Sequence, residues 1–521
     1  MRKYISLVVF LLFVPFLESF GFSFSQVQKV YKVDTVLDLQ GAEVELPNNS
    51  VLRIGKKGKL VNGSLIGNNT KIIGCHRDVI GISLLGSWKT SKIYDIWFDK
   101  GLLTDNQIID NINVLQSDSI NQIIEIKRDY CYALNSNRIY ALNLSSNTIL
   151  SLYSSISIKG NNLPRYDIAR IVRKENVHIR GGVLRGDVGR HEYVEGTTSE
   201  WGFALYVFGS KKIVIDGLTV ELCTGDGIYI TGGEEDEVGE YKNASNNILI
   251  KKCILSELRR DGIGLIHAYD VKIEDCQAVN MGQTEYTPPC YGINIEPNKR
   301  MSVKNVIIEN FVTHGTYADF SFSTGGYQFD GVKSNRKQIV LNNCSFDKGI
   351  AVMSGGVTIR NTSAKNIAIY TSNVPKGEEG VVVFDNCTIS GGAGIQFDGR
   401  RYIDLSQPLP IYIFRNSTIT ASKVFAPSPG LIWGTELNNV YASLHFKRCK
   451  LILIPGVENN QLTAQGLKIN CNFYKCNLFL KDYIFNPRNN YYDRCSIECY
   501  SIDGNLSASN SKKTTVKTVQ Q

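Results

Sequence analysis

The stretch "KIVIDGLTVELCTGDGIYI" (Lys212–Ile230) contains three short alternating runs, "KIVIDG", "LTVEL" and "GIYI", with a tight polar turn, "CTGD", before the last. The next stretch repeats the plan as "NILIKKC", "ILSEL", "RRD" and "GIGLI" (Asn247–Ile266), and the one after as "DVKIEDC", "QAVNM", a longer loop and "GINIEP" (Asp270–Pro297). Val214 to Leu249 and Asp226 to Asp261 are both 35 residues, so equivalent positions recur at a fixed offset. Later units open with "NVIIEN", "GVTIRN", "VVVFDN" and "IYIFRN". Three β-rich runs per unit with loops of unequal length between them are the signature of a coil that hides its apolar face only by covering the next coil. The expected fold is all-β: a right-handed, single-stranded parallel β-helix. A β-sandwich or propeller would need antiparallel hairpins, and tight Asn-Gly hairpin turns are few here.

The 13 cysteines fit the same repeat. Cys253, Cys276, Cys344, Cys387, Cys449 and Cys476 each close a β-rich run ("ILIKKC", "VKIEDC", "IVLNNC", "VVVFDNC", "LHFKRC", "NFYKC"). One residue type recurring at one place in a repeat reads as a stacked interior ladder of free thiols, which behave as small buried hydrophobes. A disulfide framework is the competing reading for an exported chain.

The 521 residues are 43% hydrophobic and 20% charged, ordinary composition for a folded chain. The formal net charge is +8, part of it contributed by Arg2, Lys3, Lys512, Lys513 and Lys517 at the ends. No basic run remains, which argues against a nucleic-acid partner. The start, "MRKYISLVVFLLFVPFLESFGFSFSQ", places a basic end before a short apolar stretch, Leu7–Leu17, with Ser23 and Ser25 at a peptidase-like spacing. Residues 1–25 are therefore expected to be an export signal, with no transmembrane segment after its removal and a secreted, periplasmic or surface location. A β cap over 26–100, a β-helix over 101–505 and a disordered tail over 506–521 complete the expected domains. "LLTDNQIIDNINVLQ" (Leu102–Gln116) is the one amphipathic helical candidate, with Ile108, Ile109, Ile112 and Leu115 at near-helical spacing.

These units, with the opening Asp38–Gly74, resemble secreted bacterial proteins of the pectin-lyase-like β-helix superfamily over roughly residues 30–500. The resemblance implies the fold; the superfamily holds hydrolases, lyases, epimerases and non-catalytic phage and adhesion parts. "GDGIYI" and, in part, "RDGIGL" are similar to the acidic rungs of polygalacturonase-like glycoside hydrolases. Arg260 stands where that pattern has a second aspartate, "YGINI" lacks its histidine, and "PNKR" replaces its Arg-Ile-Lys clamp. The resemblance carries over Asp226 and Asp261 alone.

Stacked on neighbouring coils about 4.8 Å apart, two carboxylates cannot both ionise without cost. Such a pair, lining one groove about 5–9 Å apart, is what glycoside cleavage by acid and base or nucleophile needs. Asp-Gly is also a common turn dipeptide, so both aspartates have a structural alternative. Glu296 is the reserve catalytic candidate. Aligning the units on Gly202, Gly227, Gly262 and Gly292 puts Trp201 and Tyr291 in the aspartate column. Candidate substrate-binding residues are Trp201, Tyr229, Arg260, His267, Tyr291, Asn294, and, on the polar excursion Arg185–Gly202, His191 and Glu200. No metal site or cofactor is expected; the acidic insertion Gly233–Glu240 is a candidate for Ca²⁺ but lacks a fixed ligand spacing. The expected partner is a polysaccharide, and the expected activity is glycoside hydrolysis, with a polysaccharide lyase or a non-catalytic glycan-binding or surface β-helix as alternatives.

Overall fold

A computed structural model describes residues 29–233, 243–298, 301–324, 339–353 and 355–370, and from there the segments 381–392, 395–398, 411–421, 430–434, 441–453, 461–463, 468–485, 490–502 and 511–518. The segment 1–25, expected to be an export signal, lies outside the described residues.

Among the described residues every strand ladder is parallel. Three faces of a coil form three sheets. One has 16 strands and runs the length of the coil from Lys92–Tyr94 onward, a second has 12, and the third divides into two sheets of seven. Successive coils supply successive strands to each. The sequence Lys211–Asp216, Ser245–Lys251, Ala268–Glu274, Val303–Glu309 is one face climbing coil by coil. The chain is thus a parallel β-helix, as the repeat and the resemblance imply. A smaller six-stranded sheet, built from six strands between Val30 and Trp88, precedes it. The helix forms at Asp105–Val114 and starts on a capping box between Thr104 and Gln107. Ile108, Ile109 and Ile112 are buried on its core side.

Packing explains the repeat. Inward residues of one coil, such as Ile248, Ile250 and Leu255, are at most 2% exposed. Each contributes on the order of 1.5–3 kcal/mol by leaving water. Corners are made by residues in the left-handed conformation immediately before the cysteine position: Lys252, Asp275, Asn310, Asn343, Asn361, Asn386 and Asn416 all have φ between 49° and 55°. Asparagine and aspartate tolerate that conformation best among residues with side chains, which is why they recur there. Their amides bond along the axis: Asn310 Nδ2 donates to Asp275 at 2.7 Å, Asn343 to Asn310 at 2.7 Å and Asn386 to Asn361 at 2.7 Å.

The cysteine ladder forms as expected. All six cysteines of the repeat are free and buried. Each thiol lies against the carbonyl two residues back, as Cys276 Sγ does with Glu274 O at 3.2 Å. Thr362 and Ser417 occupy the same corner on other coils and donate to Arg360 O and Arg415 O, both at 2.7 Å. The position therefore selects a small side chain with a donor, and cysteine is its most apolar version.

The tail corrects an expectation. Ser511–Lys512 and Thr515–Thr518 are strands that pair with Asn490–Asp493 and Ser496–Ile502, so part of the segment expected to be disordered adds a last coil. Threonine and valine at 514–516 continue the inward alternation that the preceding polar residues hide.

Candidate functional site

The site lies on the outer face of the 12-stranded sheet, where the strands Arg165–Val172, Trp201–Phe208, Ile228–Thr231, Ile263–Leu265 and Ile293–Ile295 stack in order. Their register makes a grid. Arg170, Tyr206, Tyr229, Gly264 and Asn294 are successive partners in one column. Three residues earlier runs a second column. Asp167 partners Phe203, and on the coils that follow Asp226 stands beside Asp261, where Gly227 N–H donates to Asp261 O.

Asp226 and Asp261 are thus neighbours on adjacent coils, as their spacing predicts. Their surroundings differ from expectation. Both are fully buried, and neither lines an open groove. Asp226 Oδ1 accepts the backbone N–H of Asp261 at 3.3 Å, and Asp261 Oδ1 accepts that of Tyr291 at 2.7 Å. Asn294 Nδ2 donates to Asp261 Oδ2 and to Glu296 Oε2, each at 3.0 Å. Arg260 closes the cluster. Its Nη1 donates to Asp226 Oδ1 at 2.9 Å and Oδ2 at 3.1 Å and lies 3.6 Å from Asp261 Oδ2, while Nη2 donates to Glu296 Oε2 at 3.3 Å. The arginine, not the aspartates, faces outward: its side chain is 13% exposed and that of Glu296 is 26% exposed. The cause is in the sequence. A cation one residue before Asp261 is drawn over the carboxylates, which would otherwise be buried without a partner. Gly264 makes the space, because a Cβ there would lie 2.5 Å from Asp226 Oδ2 and 3.2 Å from the Tyr229 ring.

The electrostatics follow from burial. Desolvation pushes the Asp261 carboxyl up to about 7, with Arg260 pulling it down and Asp226 adding to the rise. Burial also raises Asp226, against the pull of Arg260. Burial works against the Arg260 charge, but the carboxylates around it more than offset that and hold the guanidinium charged. Three carboxylates around one guanidinium leave the cluster able to store a proton near neutral pH.

Beside it lies an aromatic shelf that the glycine alignment missed in part. Phe203 stacks on Tyr229 at 4.3 Å and on Tyr206 at 5.7 Å, and Tyr206 and Tyr229 are 6.0 Å apart. Trp201, 40% exposed, meets the Tyr229 ring edge-on at 6.4 Å. Trp201 is not in the aspartate column: Gly225 N–H donates to Gly202 O, which in a parallel ladder sets Phe203 beside Gly225 and leaves Trp201 further from Asp226 than the glycine alignment placed it. The glycines misled because Gly202 lies beside Thr224, whose Oγ1 a Cβ on Gly202 would meet at 2.0 Å, and not beside Gly227. Edge-on contacts with the Phe203 and Tyr229 rings still place Trp201 on the shelf.

Other candidates go elsewhere. Tyr291 anchors Asp261 through its backbone, and its half-buried ring meets Phe320 edge-on at 6.4 Å. His267 is buried, with Nδ1 2.6 Å from Gly233 O and Nε2 3.3 Å from the Tyr269 hydroxyl. His191 is buried against Asp187 at 2.9 Å, and the Tyr166 hydroxyl donates to the same carboxylate at 2.8 Å. Both histidines are taken up by contacts that tie loops together. Glu200 is half-buried ahead of Trp201. In the acidic insertion, residues 234–240 lie outside the described residues. Among the described residues no group of three or more His, Cys, Asp or Glu side chains is arranged to hold a metal ion, and no helix is long and apolar enough to cross a membrane.

Fold and site together define a parallel β-helix with an acid–arginine cluster and an aromatic shelf on one sheet. No family model matches the chain. Among curated proteins it is similar to the SPbeta prophage-derived uncharacterized protein YorA of Bacillus subtilis, 26% identical over 40% of this chain and 45% of that protein. It is also similar to the uncharacterized protein YclG of Bacillus subtilis, 27% identical over 53% of this chain and 48% of that one. The chain spans about half the length of the curated relatives it matches. Among solved structures it is similar to the A-module of the mannuronan C-5 epimerase AlgE6 of Azotobacter vinelandii, with 12% identity, a TM-score of 0.42, and coverage of 77% of this chain and 92% of that one. The tailspike protein of E. coli bacteriophage HK620 in complex with a pentasaccharide gives 14% identity and a TM-score of 0.43, over 80% of this chain and 74% of that one.

Proposed function

We propose that this protein is an exported enzyme that hydrolyses a polysaccharide on the outer face of the 12-stranded sheet. The observation that carries the reading is the pairing of Asp261 and Glu296 through Asn294: one buried carboxyl that keeps its proton near neutral pH, one carboxylate facing solvent, both held by the same amide at 3.0 Å. Asp261 supplies the proton to the leaving oxygen and Glu296 acts as base or nucleophile. Arg260 covers the aspartates, and sugar binding displaces it. Trp201, 40% exposed, offers aromatic surface beside the cluster, suited to the apolar face of a sugar ring, and Tyr229, buried at 6% exposure, supports it from beneath. The names of the solved structures, an epimerase of mannuronan and a tailspike holding a pentasaccharide, are in keeping with a carbohydrate ligand.

A second reading, a non-catalytic glycan-binding β-helix, is favoured by one observation. Both aspartates are fully buried and turned onto backbone amides, as turn formers are. A screen of plant, bacterial and host polysaccharides separates the two. Reducing ends are measured for wild type, Asp226→Asn, Asp261→Asn and Glu296→Gln, with absorbance of unsaturated products as the lyase control. Hydrolysis predicts new reducing ends from the wild type and loss in Asp261→Asn and Glu296→Gln. Undiminished cleavage in those variants overturns the assignment, and binding without cleavage supports the second reading.

A further inference from the structure

On the sheet face that carries the acid cluster, the strand Arg165–Val172 bears two arginines that the cluster does not use. Arg165 is exposed and lies over the Tyr206 ring, 5.0 Å from its centre. Arg170 lies on the Tyr140 ring at 3.3 Å, and its Nε donates to Asn143 Oδ1 at 3.0 Å. Among the described residues no carboxylate is in ion-pairing contact with either of these two. Between them sits Asp167, 2% exposed, whose Oδ1 has no hydrogen-bond partner. Burial raises its carboxyl to about 7, with Arg165 and Arg170 pulling it down, so it does not simply cancel their charge.

Position gives these groups a meaning. Arg170 stands in the column of Tyr206, Tyr229, Gly264 and Asn294, and Asp167 partners Phe203, one coil before the coil of Asp226. At one strand spacing per coil, Asp167 is about 10 Å from Asp226, with the Phe203–Tyr206 coil as the floor between them. An unpaired arginine stacked on an aromatic ring is held in place while its outer N–H groups stay free to bind an anion. A buried acceptor without a partner demands an explanation, and a ligand hydroxyl or an ordered water supplies one.

The geometry points to a second carbohydrate subsite two coils from the acid cluster, in which Arg165 and Arg170 hold a sugar residue bearing an oxyanion, a carboxylate or a sulfate or phosphate ester. This rests on the reading of the sheet face as glycan-binding and adds the charge class of the glycan. Neutral sugars would use the aromatic floor alone and gain nothing from the arginines. The ester and carboxylate sources share the same recognition and differ in charge and shape.

The test is calorimetric titration of the full chain with matched pairs: oligogalacturonate against its carboxyl-reduced form, and dextran sulfate against dextran. Wild type is expected to bind the anionic member of one pair at least tenfold more tightly than its neutral partner. Which pair responds identifies carboxylate or ester. The variant Arg165→Gln/Arg170→Gln is expected to erase the preference while retaining the residual neutral-sugar affinity. The control Lys251→Gln/Lys272→Gln, on the 16-stranded sheet, is expected to keep it. Equal binding of anionic and neutral partners, or a preference that survives in the arginine variant or falls equally in the lysine control, overturns the subsite and leaves the glycan reading standing. Binding of neither member of either pair by the folded chain counts against both.

Discussion

Arg260 Nη1 donates to both oxygens of Asp226, at 2.9 and 3.1 Å, from the coil that also carries Asp261. One cation thus holds together carboxylates from three coils. Replacing it leaves buried charge without a partner, which costs about 3–5 kcal/mol when one member of such a group is removed. Arg260→Gln is expected to lower stability by that order in urea titrations, with Arg260→Lys recovering part of it. A change within about 0.5 kcal/mol, the size of an ordinary surface substitution, would show the cluster to be unimportant for folding.

Gly264 has no side chain because Asp226 occupies the space. Gly264→Ala puts a methyl 2.5 Å from Asp226 Oδ2 and is expected to destabilise by about 1–3 kcal/mol, the range for overpacking. Thermal melts of the variant alone and combined with Asp226→Ala check it. The double variant removes the clash, so a non-additive result is expected; strict additivity would mean the two residues do not meet.

Asp261 makes stability depend on pH in a defined sense. A carboxyl whose pKa is higher folded than unfolded binds more protons in the folded chain, so its contribution is full below the unfolded value and is lost as pH rises through the folded one. Its unfolded value is about 4, and its folded value about 7. Stability is therefore expected to fall from pH 4 to pH 7 on its account. Asp261→Asn is expected to flatten that slope and to be relatively most favourable at pH 8. Denaturant titrations across this range check the slope; an unchanged slope in the variant would refute the assignment. If Asp261 is the acid, cleavage also declines above pH 7 in the wild type.

The cysteine ladder predicts indifference to reductant. Eleven of the 13 cysteines, all six of the ladder among them, are free, so dithiothreitol is expected to leave the melting temperature unchanged. Cys276→Ser keeps the donor to Glu274 O but adds polarity, and is expected to cost about 1 kcal/mol, with Cys276→Ala similar through lost packing. A drop in melting temperature on reduction would show a disulfide and contradict the ladder.

Asp226, Asp261 and the six ladder cysteines were legible in the chain because a coil repeats at constant geometry, so a constant residue offset becomes spatial neighbourhood. The placement of Trp201 was not. Glycines mark where a turn is tight, but strand pairing follows the backbone hydrogen bonds, and with Gly225 N–H donating to Gly202 O, Gly202 does not pair with Gly227. His191 and His267 read as site candidates from residue type alone; the loops they tie are visible only once Asp187 and Gly233 are brought to them. Phe203, Tyr206 and Asp167 carried no motif at all.

The sequence by itself determined the parallel coil, the interior ladders and the adjacency of the two aspartates, because these depend on periodicity, which is a property of the chain. Which way the acids face was decided only in three dimensions. Whether a carboxylate meets solvent or an arginine depends on what a neighbouring coil brings over it, and Arg260, folded across the space left by Gly264, turned an expected open pair into a covered one.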